Sequence, residues 1–244
     1  RPHFILRDTS QAVEFKAHSA GGRSTRDVPV LPRQQHGASL SGQIDNLKPA
    51  AIQAAQAQRD LQLESGLGLQ IQFTSRPDVE LAFESLANET KKIELLSVRH
   101  EGNRTFANVF VPDGGLAHFE KYVSDYLAEK KDSRGQARDH RKLLDAIESI
   151  RAAEVRALWT DDPALLPADL TVAFWWEVWL PVRGQGQRQV VVEDFKKLAR
   201  LAECVVSDKQ VNFPERTVLL MYGSQQQLSR SVMTLNCVAE LRYA

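Results

Sequence analysis

The sequence predicts an α+β protein with two tandem βαββαβ units behind a helical or irregular N-terminal arm. Three observations carry this. Residues 174–244 read strand, helix, strand, strand, helix, strand. Residues 66–160 repeat that order, with an insertion near 130–150. Glycine, proline or charge clusters fall where the hydrophobic period changes. The order is the split βαβ, ferredoxin-like arrangement. The expected division is 1–65 for the arm and helix, 66–160 for the first unit, 161–173 for a connector and 174–244 for the second unit.

The arm is the least regular part. Pro2-His3-Phe4-Ile5-Leu6 suits a short strand, whereas Gly21-Gly22 and the prolines at 29 and 32 suit loop. From about 39 to 63, Leu40, Ile44, Leu47, Ala51, Ala54 and Leu61 fall at helical spacing, with Pro49 as an interruption. The many alanines and glutamines predict an outlying packing helix rather than core.

In the first unit, Leu67, Leu69, Ile71 and Phe73 alternate with polar residues as in a half-buried strand. Ser75-Arg76-Pro77-Asp78 has the form of a capping box, predicting a helix that buries Val79, Ala82, Phe83 and Leu86. Ile93–His100 and Thr105–Val111 predict two strands joined across Glu101-Gly102-Asn103. Asp113 is the expected cap of a helix with the stripe Leu116, Phe119, Val123 and Tyr126/Leu127. A charged segment at 130–141 precedes a helix expected over 139–151, through Leu143, Leu144, Ile147 and Ile150. The closing strand is expected at Glu154–Trp159.

In the second unit, strand 174–181 holds three of the chain's four tryptophans. Gly184-Gln185-Gly186 leads to a helix at about 191–203 with Phe195, Leu198, Ala199 and Ala202 on one side. Cys204–Phe213 and Arg216–Tyr222 are the next two strands. Ser224-Gln225-Gln226-Gln227 is a second capping box, opening a helix with Leu228, Val232 and Leu235 inward. Cys237, Ala239, Leu241 and Tyr243 alternate as the last strand.

Chemistry is sparse. Lys+Arg and Asp+Glu balance at 31 each, so no net field draws the chain to nucleic acid or an anionic membrane. No apolar run approaches the roughly 20 residues of a membrane span. No signal peptide is visible and Met is absent at position 1, so a trimmed fragment is expected. Cys204 and Cys237 form no CxxC, and a reducing, cytoplasmic setting is expected. The six histidines are scattered without metal spacing, and Gly184-Gln185-Gly186 lacks the rest of a phosphate loop; no metal or cofactor is expected. Asp8-Thr9-Ser10 and His36-Gly37 follow the Asp-then-His order of one hydrolase triad, but no nucleophilic serine motif follows.

Glu177 sits mid-strand, where a carboxylate needs either solvent or a partner such as Arg216 or Arg242. A cleft that raised its pKa would make it an acid–base candidate. RNA-recognition modules share the βαββαβ order and stack bases on their central strands. Here Tyr222 is the one aromatic on strand 216–222, and the basic-Gly-aromatic signature is absent.

Several phrases carry a family resemblance. They are Arg1-Pro2-His3-Phe4-Ile5-Leu6-Arg7-Asp8-Thr9-Ser10, Val109-Phe110-Val111-Pro112, Arg156-Ala157-Leu158-Trp159-Thr160-Asp161-Asp162-Pro163 and Trp175-Trp176-Glu177-Val178-Trp179-Leu180. Asn212-Phe213-Pro214-Glu215-Arg216 and Gln227-Leu228-Ser229-Arg230-Ser231-Val232 add to them. Together they resemble the N-terminal, non-catalytic region of bacterial subtilisin-like (S8 family) serine peptidases of the kind encoded beside an AAA ATPase, in pairs that behave like a toxin and its antidote. The resemblance implies no catalytic residue in this chain and a propeptide-like part for residues 174–244. The implied partners are a subtilisin-like catalytic domain in cis and an AAA ATPase, with no nucleic acid and no membrane. The interface residues expected on this basis are Trp175, Trp176, Glu177, Trp179, Arg242, Tyr243 and Ala244.

Overall fold

The computed structural model describes residues 29–65, 68–182, 187–230 and 232–244. The expected short strand at 2–6, Gly66, Leu67, the Gly184-Gln185-Gly186 turn and the side chain of Val232 lie outside them. Two helices come first, α1 (Arg33–Asp45) and α2 (Lys48–Asp60). The first sheet follows, from β1 (Gly68–Ser75), β2 (Glu94–Glu101), β3 (Arg104–Pro112) and β4 (Ile147–Ala152), with α3 (Leu116–Leu127) and a turn of helix, α4 (Arg141–Leu144), before β4. A short helix, α5 (Val155–Leu158), leads to the second sheet. That sheet holds β5 (Ala173–Pro181), β6 (Val205–Asn212), β7 (Arg216–Ser224) and β8 (Glu240–Tyr243), with α6 (Arg188–Leu201), α7 (Gln225–Arg230) and α8 (Val232–Leu235). The strand orders are β2-β3-β1-β4 and β6-β7-β5-β8, antiparallel throughout. Both are the ferredoxin-like order, and the α+β fold of two tandem units stands.

The first unit reaches that order by an unexpected route. No α-helix joins β1 to β2; the segment makes two 3₁₀ turns, Phe83–Ser85 and Glu89–Lys91. Ser75 cannot cap, because its hydroxyl donates to Arg76 O and accepts from Thr105 N. Asp78 is left-handed, at φ +61°, with its N–H donated to Asn103 O across the β2–β3 hairpin. The β1–β2 segment itself contributes Val79, Leu81, Leu86 and Ile93 to the core, while α1 packs beside α3 and along β4, where Ile150 N–H donates to Gln43 Oε1. Leu40, Ile44 and Leu47 are buried with Ile71, Val109, Phe119 and Tyr126. Gly37 marks the crossing of α1 and α3, where a Cβ would lie 2.5 Å from Leu127 Cδ2. The part of the expected outlying helix that forms α1 is therefore core, whereas α2 buries Ala54 alone, and the expected interruption is present, with Pro49 in the first turn of α2.

A polar clasp fastens α1 from the side. Arg33 Nη1 donates to Asp139 Oδ2 (2.7 Å) and to Tyr126 O, while His36 Nε2 meets Leu144 O at 2.9 Å. Tyr126 Oη donates to buried Asp145, which also holds Arg141. Burial together with this hydrogen bond pushes the phenol well above its ordinary range.

The end of the first unit corrects a second expectation. Residues 147–152 are the closing strand and 155–158 a helical turn, the reverse of the sequence reading. The cause is a bulge: Ser75 faces Ile147 while Thr74 faces Ser149, leaving Glu148 as the extra residue. The bulge puts Ile147 and Ile150, three apart, into the same core, so a strand mimics helical spacing. The cap expected at Asp113 is also absent; the α3 N-cap is Gly115, without a side-chain bond.

In the second unit the capping box forms as expected: Gln227 N–H donates to Ser224 Oγ, and Ser224 N–H to Gln227 Oε1. Cys237, Val238 and Ala239 are all buried, so the last strand is shorter than its alternation suggested. No helix among the described residues is long and apolar enough to cross a membrane.

His118, Tyr122 and His140 stack on the outer side of α3, with Tyr122 to His140 centroids 3.6 Å apart. Burial, foremost, holds both imidazoles below their ordinary value near 6.5. The fold thus favours their neutral forms, and the unfolded chain takes up protons first as pH falls. Melting temperature should fall between pH 7.5 and pH 5, and the double variant His118→Gln/His140→Gln should flatten that part of the profile.

Candidate functional site

A ferredoxin-like sheet has helices on one face and leaves the other to solvent or a partner. In the first unit the second face is already occupied. Gln72 Nε2 donates to Asn108 Oδ1, Arg151 donates twice to Gln72 Oε1, and Asn108 Nδ2 reaches Ser97 Oγ and Ala157 O of α5. Gln70 donates to Leu235 O and Val238 O, and Arg99 Nη1 to Arg156 O and Trp159 O. Leu96 and Phe110 pack on Ala239. The amides of one sheet thus satisfy the backbone carbonyls of the chain laid across it. β1 is buried along its whole length for this reason, not half-buried as expected.

The corresponding face of the second sheet is open. Its register aligns Trp175 with Tyr222 and Val205, Glu177 with Leu220 and Arg242, and Trp179 with Val218, Val211 and Glu240. Trp175 is 44% exposed, Leu220 and Tyr222 41% each, Val211 57% and Phe213 45%. Trp175 and Tyr222 rings sit 5.4 Å apart. Trp179 is sandwiched, with Phe213 parallel to it at 5.5 Å and the Arg242 guanidinium 4.4 Å from its ring centre. Its indole N–H donates to Glu177 Oε1 at 2.8 Å.

The expected interface residues divide by strand parity. Trp175, Glu177, Trp179 and Arg242 share the open face. Trp176 does not: it is fully buried against α6, with Nε1 donating to Gly223 O (2.8 Å) and Trp159 edge-on at 5.8 Å. Adjacent strand residues point to opposite faces, so Trp176 cannot belong to the surface that Trp175 presents. Tyr243 pairs with Trp176 and stacks on Phe174 at 5.5 Å, which puts it on the helix side as well. Ala244 is exposed, its N–H donated to Trp175 O.

Among the described residues Glu177 has no arginine partner. Arg242, directly across the ladder, turns to Glu240 Oε2 (2.9 Å) and to Thr160 Oγ1, and Arg216 Nη1 donates to Glu215 O. Among the described residues the carboxylate has the Trp179 N–H and no ion pair. Leu220, Tyr222, Val211 and Phe213 complete the face; Tyr222 was weighed from sequence only for base stacking, and the other three were missed. The signal was present: 218–222 is an unbroken apolar run, the pattern of a strand whose two faces both avoid water.

Nothing at this face or elsewhere among the described residues groups three or more metal-binding side chains. What the arrangement offers is binding, through a flat aromatic and aliphatic surface.

Residues 34–154 match a family model described as the Y4kK N-terminal domain. That span runs from within α1 to the residue before α5, so it joins α1 to the sheet it covers. No curated protein matches the chain. A solved structure titled "Crystal Structure of an Unknown Protein from Galdieria sulphuraria" is similar at 12% identity and a TM-score of 0.22, covering 69% of this chain and 89% of that one.

Proposed function

We propose that this chain is a non-catalytic, propeptide-like docking region of a subtilisin-like serine peptidase, which it inhibits or helps to fold. The observation that supports this most is the asymmetry between the two sheets. One covers its second face within the chain, and the other leaves Trp175, Leu220, Tyr222, Val211 and Phe213 exposed together. A contiguous apolar surface of this kind marks an interaction site. Mixing the chain with a separately made catalytic domain should slow peptide hydrolysis and give a complex on gel filtration. The double variant Trp175→Ala/Tyr222→Ala should weaken both effects about 100-fold, the cost of removing two interface anchors of roughly 1–2 kcal/mol each. Unchanged hydrolysis and no complex would remove the proposal.

A docking platform for a partner AAA ATPase, or for the peptidase's substrate, uses the same face. A pull-down of the ATPase by this chain, with none by the catalytic domain alone, would favour it. RNA is the weaker reading. Trp175 and Tyr222 do stand opposite one another on the two central strands, the position for base stacking. But both faces of Trp179 are already taken, and Glu177 and Glu240 would meet phosphate with like charge. No salt-dependent retention of RNA is expected.

A further inference from the structure

On the open face Glu177 accepts the Trp179 N–H but, among the described residues, has no ion pair. Glu177 stands among Trp175, Trp179 and Leu220, at the border of a groove of about 340 Å³ whose apolar lining is Trp179, Val211, Phe213, Val218, Leu219 and Leu220. Its cross-strand neighbour Arg242 is committed to Glu240, to Thr160 and to the Trp179 ring. A carboxylate beside apolar side chains loses hydration when that face is covered, and is stable there only if the partner brings a cation. The groove's aliphatic and aromatic floor suits the stem of a long basic side chain, which lies on apolar surface while its charged head reaches outward.

We propose that this groove takes an arginine side chain projecting from the docked protein, its guanidinium on Glu177 and its methylenes over Val211 and Leu220. The proposal rests on the reading of the open face as a docking surface, and adds what the partner must carry there. Arginine fits better than lysine because its planar fork can pair with the carboxylate and stack on flat neighbours. Lys209, the cation among the groove-lining residues, is exposed on the bulge of β6 and would oppose the same ligand.

The test uses the ¹⁵N-labelled full chain and two peptides, acetyl-Leu-Arg-Leu-amide and its neutral isostere with citrulline for arginine. The reporter is the Trp179 indole N–H, which donates to Glu177. The arginine peptide should shift that resonance saturably, and the citrulline peptide should bind about five-fold more weakly, as expected for a half-exposed charge pair. Glu177→Gln should bring the two peptides to equal affinity, and Lys209→Glu should strengthen the arginine peptide alone. Equal binding of both peptides to the native chain, a preference that survives Glu177→Gln, or no saturable shift would each overturn the inference. The parent reading fails differently. If the catalytic domain binds the native chain and Glu177→Gln equally, docking stands and the arginine site falls. If the peptides discriminate but the catalytic domain does not bind, the groove stands and that partner falls.

Discussion

Trp176→Ala should destabilise the fold by about 4 kcal/mol, whereas Trp175→Ala one residue earlier should change stability by less than about 1 kcal/mol. Trp176 is wholly buried between Trp159, Phe174 and the helices. Its truncation removes a large apolar surface, opens a cavity and leaves Gly223 O without its indole donor. Trp175 packs on Tyr222 alone among aromatics and remains 44% exposed, so its loss should be felt in binding. Urea denaturation followed by circular dichroism measures both. A Trp176→Ala chain with near-native midpoint would mean that the second core is not organised around this residue. Trp176→Phe keeps an aromatic ring in the core but loses the N–H and part of the indole's volume, with an expected cost of about 1–3 kcal/mol.

The second large effect is expected in α1. Leu40→Ala and Ile44→Ala should each cost about 3 kcal/mol, and the pair should leave the first unit unable to hold its sheet at 37 °C. Both side chains are at or near zero exposure and pack into the first core beside α3 and β4. The same substitution at Ile52 of α2, 67% exposed, should be close to neutral. Hydrogen exchange resolves the outcome by unit. Loss of protection in β1, β3 and β4 with β5 and β7 retained is expected; protection kept throughout would show that α1 is an accessory element. Arg33→Ala, which opens the clasp to Asp139 and Tyr126 O, should have the same sign and a smaller size.

The second unit was legible in sequence because each of its elements keeps a clean period. Trp176, Val178 and Leu180 alternate with Trp175, Glu177 and Trp179, and Ser224 with Gln227 announces its helix by local hydrogen bonding. The first unit was legible in its strands β1 to β3 and in α3, and misleading where tertiary contacts override local signals. Ile147 and Ile150 share a face only because Glu148 bulges out of the ladder. Leu40 and Ile44 sit in a polar helix of low mean hydropathy, yet they are core because α1 packs beside α3 and along β4, a contact that no local pattern encodes.

The candidate site divides the same way. Strand parity was enough to separate Trp175 and Trp179 from Trp176, and the apolar run at 218–222 was a readable sign of a second apolar face. The engagement of Arg242 with Glu240 and Trp179, which turns it away from Glu177, depends on side-chain geometry that no spacing encodes.

By itself, then, the sequence determined the α+β class and the two tandem ferredoxin-like units, because hydrophobic period and turn chemistry are local properties. Only the tertiary structure decided which sheet face remains open. That choice depends on where 153–159 and 235–239 cross the first sheet, and on the amides of Gln70 and Asn108 that hold them there by satisfying their carbonyls. Such contacts join residues 49 and 165 positions apart, so only the folded chain brings them together.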